Sequence, residues 1–207
     1  MAEHDFQAVS SETPYVGRIL ALRVDHVQMP GGDTATREVV EHFGAVAIAA
    51  IDDDRNIAMI YQYRHPLGRR LWELPAGLLD TRGEDPAQTA ARELREEAGL
   101  AADNWRVLLD VASSPGFSDE SVRIYLASEL SDVGRPQGMH EEADMTLRWF
   151  PLEEAVQMAM SGEIVNATAA AGVLAAHAAV AEGKPTRSVD ASWPDRPTAF
   201  ARRQGWR

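Results

Sequence analysis

The chain has 207 residues, 45% of them apolar and 25% charged, which suits a folded globular protein and argues against a disordered one. It contains no cysteine, which excludes a disulfide scaffold and any thiolate metal or redox centre. A formal charge of −12 opposes a nucleic-acid backbone, and no basic stripe with interleaved aromatics offsets it, so a protein of this charge that handles phosphates must recruit cations locally.

Residues 1 to about 15 lack the basic and apolar regions of an export signal and are expected to be mobile. With the missing cysteines this fits a cytoplasmic protein. Gly17 to Met29 reads as a strand, Pro30-Gly31-Gly32-Asp33 as a turn, and Thr34 to His42 as a second strand of a hairpin. Phe43 to Ile51 is a short apolar run, the pattern of a strand buried on both faces. Asp52 to Asn56 is a polar turn and Ile57 to Tyr63 a partner strand. Residues 64 to 84 mix loop and strand, punctuated by Pro75, Gly77 and Gly83.

A helix follows. Asp85 is a good N-cap, Pro86 suits the first helical position, Gln88 completes a capping box and Gly99 is the natural stop. Strands are expected over Trp105 to Val111, Val122 to Glu129 and Thr146 to Phe150. Helices are expected from Leu152 and over about Glu163 to Glu182. The Ala-rich run Val165 to Ala181 reads as a packed helix and not as a membrane span, because it carries Asn166, Thr168 and His177. The tail from Lys184 to Arg207 looks irregular. Strands and helices without regular βαβ repeats predict an α+β fold, a sheet core covered by helices. The domain reading is 1–42 as an N-terminal β segment, 43–182 as the main domain and 183–207 as the tail.

The strongest chemical signal is Arg92-Glu93-Leu94-Arg95-Glu96-Glu97-Ala98-Gly99-Leu100. On a helix Glu93, Glu96 and Glu97 fall at i, i+3 and i+4, so three carboxylates share one face while Ala87, Leu94 and Ala98 line the opposite one. Crowded like charges destabilise a bare helix, and a hard divalent cation with oxygen ligands reverses that effect. A solvated acidic face paired with Arg92 and Arg95 is the plain alternative.

This segment resembles the Nudix box, GX5EX7REUXEEXGU with U a bulky apolar residue. Glu84, seven residues, and then Arg92 to Leu100 match it without a break. Gly77 departs from it, lying seven positions before Glu84 instead of six, so the loop holds one extra residue that Gly83 is placed to absorb. The resemblance implies a Nudix-type α/β/α sandwich with a mixed sheet, plus the N-terminal antiparallel β segment. It implies metal ligands at Glu93, Glu97 and Glu96, at the backbone carbonyl of Ala76 and at Glu142. Arg92 then orients a glutamate, with Glu84 and Gly77 supporting the site. The implied cofactor is Mg²⁺ or Mn²⁺.

Pro115 stands fifteen residues beyond Leu100, in Ser114-Pro115-Gly116-Phe117-Ser118-Asp119-Glu120. A proline loop at that spacing resembles the ADP-ribose pyrophosphatase subfamily. It reads as a rigid turn offering backbone N–H groups, with Glu120 available to a ribose hydroxyl or a metal water; an ordinary surface loop is the alternative. Arg37 to His42, Tyr63-Arg64 before Glu73-Leu74-Pro75-Ala76-Gly77, and Gly162 to Asn166 resemble the same subfamily, over about residues 17 to 182. Arg64 is then the phosphate-gripping arginine, and Leu78 joins the substrate set with Ser114, Pro115, Gly116 and Glu120. Subfamily members are similar in forming homodimers that exchange N-terminal strands, which implies Ile19 and Leu20 beside the adenine with Arg37 and Glu38 bordering it.

The implied reaction is water attack on the diphosphate of ADP-ribose, giving AMP and ribose 5-phosphate. The base is expected from the acidic Gly138 to Asp144 loop, with Glu142 chosen and Glu141 in reserve. Other nucleoside diphosphate derivatives, an oxidised nucleotide, and an inactive nucleotide sensor stay open as alternatives. His42, His65 and His177 show no metal-ligand spacing with one another and read as structural or surface residues. Partners are a small nucleotide-sugar substrate and a second copy of the chain, with no nucleic acid and no membrane.

Overall fold

The computed structural model describes residues 5–135 and 144–206. These form two compact units. The first takes the described residues of Met1–Gly44, Ala112–Ser121 and Asp195–Arg207; the second takes those of Ala45–Val111 and Val122–Pro194.

The first unit is a three-stranded antiparallel sheet in the order β1 (Ala8–Val16), β2 (Leu20–Gln28), β3 (Thr34–His42). The expected hairpin is present: β2 and β3 pair without a break from Leu20↔His42 to Gln28↔Thr34. The turn is closed by the Met29 N–H donating to the Asp33 carbonyl at 2.8 Å. Over Ala8–Val16 the expected mobility is not met, because this strand pairs with β2. Its side chains are almost all exposed, so the strand carries no buried alternation for sequence reading to find. The tail also departs from expectation. It forms a two-residue strand, β11 (Arg187–Ser188), and a short helix, α4 (Ala199–Arg203). Phe200 on α4 is fully buried against Phe43, ring centroids 4.6 Å apart, and Trp206 stacks on Phe43 at 4.9 Å.

The second unit is built on β4 (Ala45–Ala50), the expected doubly buried strand. Its side chains alternate between two cores. Val46, Ile48 and Ala50 meet Ala90, Leu94 and Ala98 of α1 (Pro86–Ala98). Ala47, Ala49 and Ile51 meet Leu152, Ala155 and Met158 of α2 (Leu152–Ser161) and Ala169, Val173 and Ala176 of α3 (Ala167–Val180). Helices on both faces of one sheet make this unit the α/β/α sandwich. The sheet is mixed: β4 runs parallel to β9 (Ser121–Asp132) and antiparallel to β7 (Ala76–Leu78), with β8 (Leu100–Ala112) and β11 beyond β9. A second sheet orders β10 (Thr146–Pro151), β5 (Asn56–Arg64) and β6 (Arg69–Glu73) antiparallel.

The alanines of α3 let it sit close to the sheet. A Cβ at Gly172 would lie 2.5 Å from Leu74 Cδ1. The helix starts at Ala167, later than expected, because the Asn166 side chain caps it by accepting from Ala169 N–H at 2.9 Å. No helix among the described residues is long and apolar enough to cross a membrane.

Candidate active site

Helix α1 carries the carboxylates, and its start is fixed as the sequence predicts. Asp85 Oδ1 accepts from Ala87 N–H at 2.9 Å, the Gln88 side chain accepts from Asp85 N–H at 3.1 Å, and Gly99 closes the helix at φ +69°. The loop before it turns with Glu84 N–H donating to Thr81 O at 3.2 Å, and Gly83 adopts φ +80°, a conformation that favours glycine.

Arg92 organises the acids. Its guanidinium donates through Nε and Nη2 to the two oxygens of Glu84, each at 3.1 Å, and through Nη1 to Glu93 at 2.7 Å and Glu96 at 2.9 Å. Thr89 Oγ1 donates to Glu84 at 2.8 Å. Hydrogen bonding from Arg92 holds the Glu84 carboxyl below the usual carboxylate range. Arg92 thus binds three glutamates at once, where the sequence reading assigned it one.

Glu97 and the Arg92-bound Glu93 also meet β7. Glu97 is buried and accepts from Ala76 N–H at 2.8 Å. Glu93 lies against Gly77, where a Cβ would fall 2.1 Å from its carboxyl group. That contact explains the glycine by close approach, since Gly77 is not among the residues at positive φ. Burial pushes the Glu93 carboxyl up to about 7, against the opposing pull of Arg92, with Glu96 and Asp80 adding to the rise. Glu96 is the most solvent-exposed of the three.

Among the described residues no three acidic or histidine side chains converge as a closed metal cage; Arg92 draws Glu96 and one oxygen of Glu93 to itself. The donor set nonetheless fits a hard divalent cation. Its donors are carboxylate oxygens without sulfur, and two of them, Glu93 and Glu97, are one turn apart. Burial penalises the charge of Glu93 even with Arg92 beside it, in a cradle left open by the missing side chain of Gly77.

The remaining predicted residues fall in three places. Arg64 ends β5 and is gripped by buried Glu73 of β6, Nε to Oε1 at 2.9 Å and Nη2 to Oε2 at 2.6 Å, while Gln62 donates to Oε2 at 3.1 Å. Sequence reading quoted Glu73 but gave it no role; a charged residue inside the apolar stretch before Pro75 was the available signal. Leu78 is half-buried in β7 opposite Ala45.

Ile19, Arg37 and Glu38 lie in the first unit. Ile19 is exposed, Arg37 donates to the Thr36 carbonyl at 2.9 Å, and Glu38 pairs with Val24 across the hairpin. Ser114, Pro115, Gly116 and Glu120 form a tight loop in that same unit. The loop is held closed by its own backbone and by β3. Phe117 and Ser118 donate to the Ser114 carbonyl, Asp119 to the Val40 carbonyl and Glu120 to the Ser118 hydroxyl, so four donors are used inside the fold. Glu141 and Glu142 lie outside the described residues.

The NUDIX domain family matches residues 34–170, and the nucleoside diphosphate sugar hydrolase N-terminal domain matches residues 6–40. The chain belongs to the Nudix family. This Nudix chain is 63% identical over 207 residues to a protein of Mycobacterium tuberculosis called ADP-ribose pyrophosphatase, covering 100% of both chains. It is 42% identical over 151 residues to the methanol dehydrogenase activator of Bacillus methanolicus, 73% of this chain and 81% of that one. The crystal structure of an ADP compounds hydrolase superposes with a TM-score of 0.77 at 18% identity, covering 88% of this chain and 98% of the other, a likeness of fold.

Proposed function

We propose that this protein is a divalent-metal-dependent ADP-ribose diphosphatase, splitting ADP-ribose and water into AMP and ribose 5-phosphate. The observation that carries the reading is the Glu84–Arg92–Glu93–Glu97 array latched onto Ala76 and Gly77, in a chain that matches an ADP-ribose pyrophosphatase end to end.

Glu93 and Glu97, with Glu96 and the Ala76 carbonyl, would hold the metal, with Mg²⁺ as the expected ion and Mn²⁺ as its substitute. The bound cation supplies neutralisation of diphosphate charge and lowers the pKa of water. Arg92 keeps Glu84 and Glu93 in place. Arg64, its plane fixed by Glu73, pairs with a phosphate. Glu142, or Glu141 in its place, takes the proton from the attacking water. Water oxygen bonds to phosphorus, the bridging P–O bond breaks, and that proton balances the second phosphate released.

Glu120 and the Ser114–Gly116 turn are assigned to substrate, with Leu78, and Ile19, Arg37 and Glu38 to the nucleobase end. The exposed β1 and the resemblance to strand-exchanging relatives support a homodimer, and the cysteine-free composition supports a cytoplasmic location.

The test is chromatography of products from ADP-ribose with Mg²⁺, beside Glu93→Gln and a panel of nucleoside diphosphate derivatives. AMP and ribose 5-phosphate from the wild type alone are expected. Preference for another compound overturns the substrate; binding without turnover under any divalent metal overturns the enzyme.

A further inference from the structure

The C-terminal segment 195–206 is not absorbed by the proposed chemistry, yet it is tied by side chains to the strand that holds the Pro115 loop. Glu41 of β3 is 1% exposed and is one of the largest fully buried side chains. A buried carboxylate is stable only when paired and hydrogen-bonded. Its partners come from two distant stretches: Arg23 Nη1 of β2 at 2.5 Å, and Arg203 of α4, which bonds through Nε to Oε2 and through Nη2 to Oε1 at 3.0 Å. The same short helix buries Phe200 against Phe43, two residues after Glu41.

The residues flanking Glu41 hold the loop. Val40 N–H donates to the Phe117 carbonyl at 2.7 Å, and the Val40 carbonyl accepts from Asp119 N–H at 3.1 Å and from Ser118 Oγ at 3.1 Å. His42 N–H donates to Asp119 Oδ1 at 2.8 Å, and His42 Nδ1 lies 3.4 Å from Glu120 Oε1. Side chains alternate along a strand, so the end of β3 is gripped through Glu41 by the tail and through Val40 and His42 by the loop.

We infer that Arg203 is a positioning residue: through Glu41 it fixes the end of β3 and so the Ser113–Glu120 loop that carries Glu120. The consequence for turnover rests on the proposed assignment of that loop to substrate; the clamp itself does not.

Two readouts separate them. Arg203→Met keeps the aliphatic stem and removes the charge; Arg203→Lys restores a cation. Hydrogen–deuterium exchange on the full chain is expected to rise at least tenfold at the amides of Phe117, Ser118 and Asp119 in Arg203→Met, with α1 amides unchanged and partial recovery in Arg203→Lys. KM for ADP-ribose is expected to rise about fivefold or more with kcat within twofold, again partly recovered by lysine. Unchanged loop exchange overturns the clamp. Faster exchange with unchanged KM leaves the clamp standing and removes the loop from substrate binding. Faster exchange throughout the chain shows general destabilisation and also overturns the proposal.

Discussion

Glu93→Gln in metal-free protein exposes the conflict built into the carboxylate face. Burial raises the Glu93 carboxyl from its ordinary 4.5 to about 7. The fold therefore favours the protonated form, so whatever stability this group contributes is fully present below pH 4.5 and is lost as the pH rises through about 7. Each tenfold change in proton affinity is worth about 1.4 kcal/mol, so the full penalty at pH 8 is about 3 kcal/mol. Glutamine keeps the shape without the charge, and partial access of water leaves an expected gain of about 1–3 kcal/mol. For a chain of this size that raises Tm by roughly 2–12 °C. The assay is thermal unfolding in chelator at pH 8 and pH 4.5, then with Mg²⁺ at pH 8. The variant should be more stable than wild type at pH 8 without metal, and indistinguishable at pH 4.5. Metal should stabilise wild type by RT ln(1 + [L]/Kd) and the variant far less. A variant that melts at or below wild type in chelator at pH 8 would refute the view that Glu93 is held at a penalty for a cation to relieve.

Gly77→Ala drives a Cβ to 2.1 Å from the Glu93 carboxyl group, so metal affinity measured by calorimetry should fall about tenfold or more, with overpacking costing about 1–3 kcal/mol. Glu73→Gln loosens the bidentate grip on Arg64; KM for ADP-ribose should rise about tenfold, read by steady-state kinetics, and an unchanged KM removes Arg64 from phosphate binding. Asp85→Ala breaks the capping box and should lower stability by about 1 kcal/mol in denaturant titration without changing KM. Phe200→Ala empties a fully buried site and should cost about 3–5 kcal/mol, far more than an irregular tail would allow.

Local signals wrote much of this protein in the sequence. The cap at Asp85, the stop at Gly99 and the three glutamates depend on residues within about one or two helical turns, so spacing alone places them. The two-faced burial of β4 was legible because a short uninterrupted apolar run has few other fates in a sheet core. What spacing could not supply was partnership between distant residues. Arg92 reads as one helper among several charges, yet folding gives it Glu84, Glu93 and Glu96 together. Gly77 reads as a misplaced motif glycine until Glu93 is seen to occupy the space of its missing side chain. β1 has no apolar alternation and exists because β2 satisfies its backbone. Glu41 and Arg203 stand 162 positions apart. Their pairing, like the burial of Phe200, follows from chain topology, because a buried charge selects whichever cation the fold brings to it and the sequence holds no record of that distance.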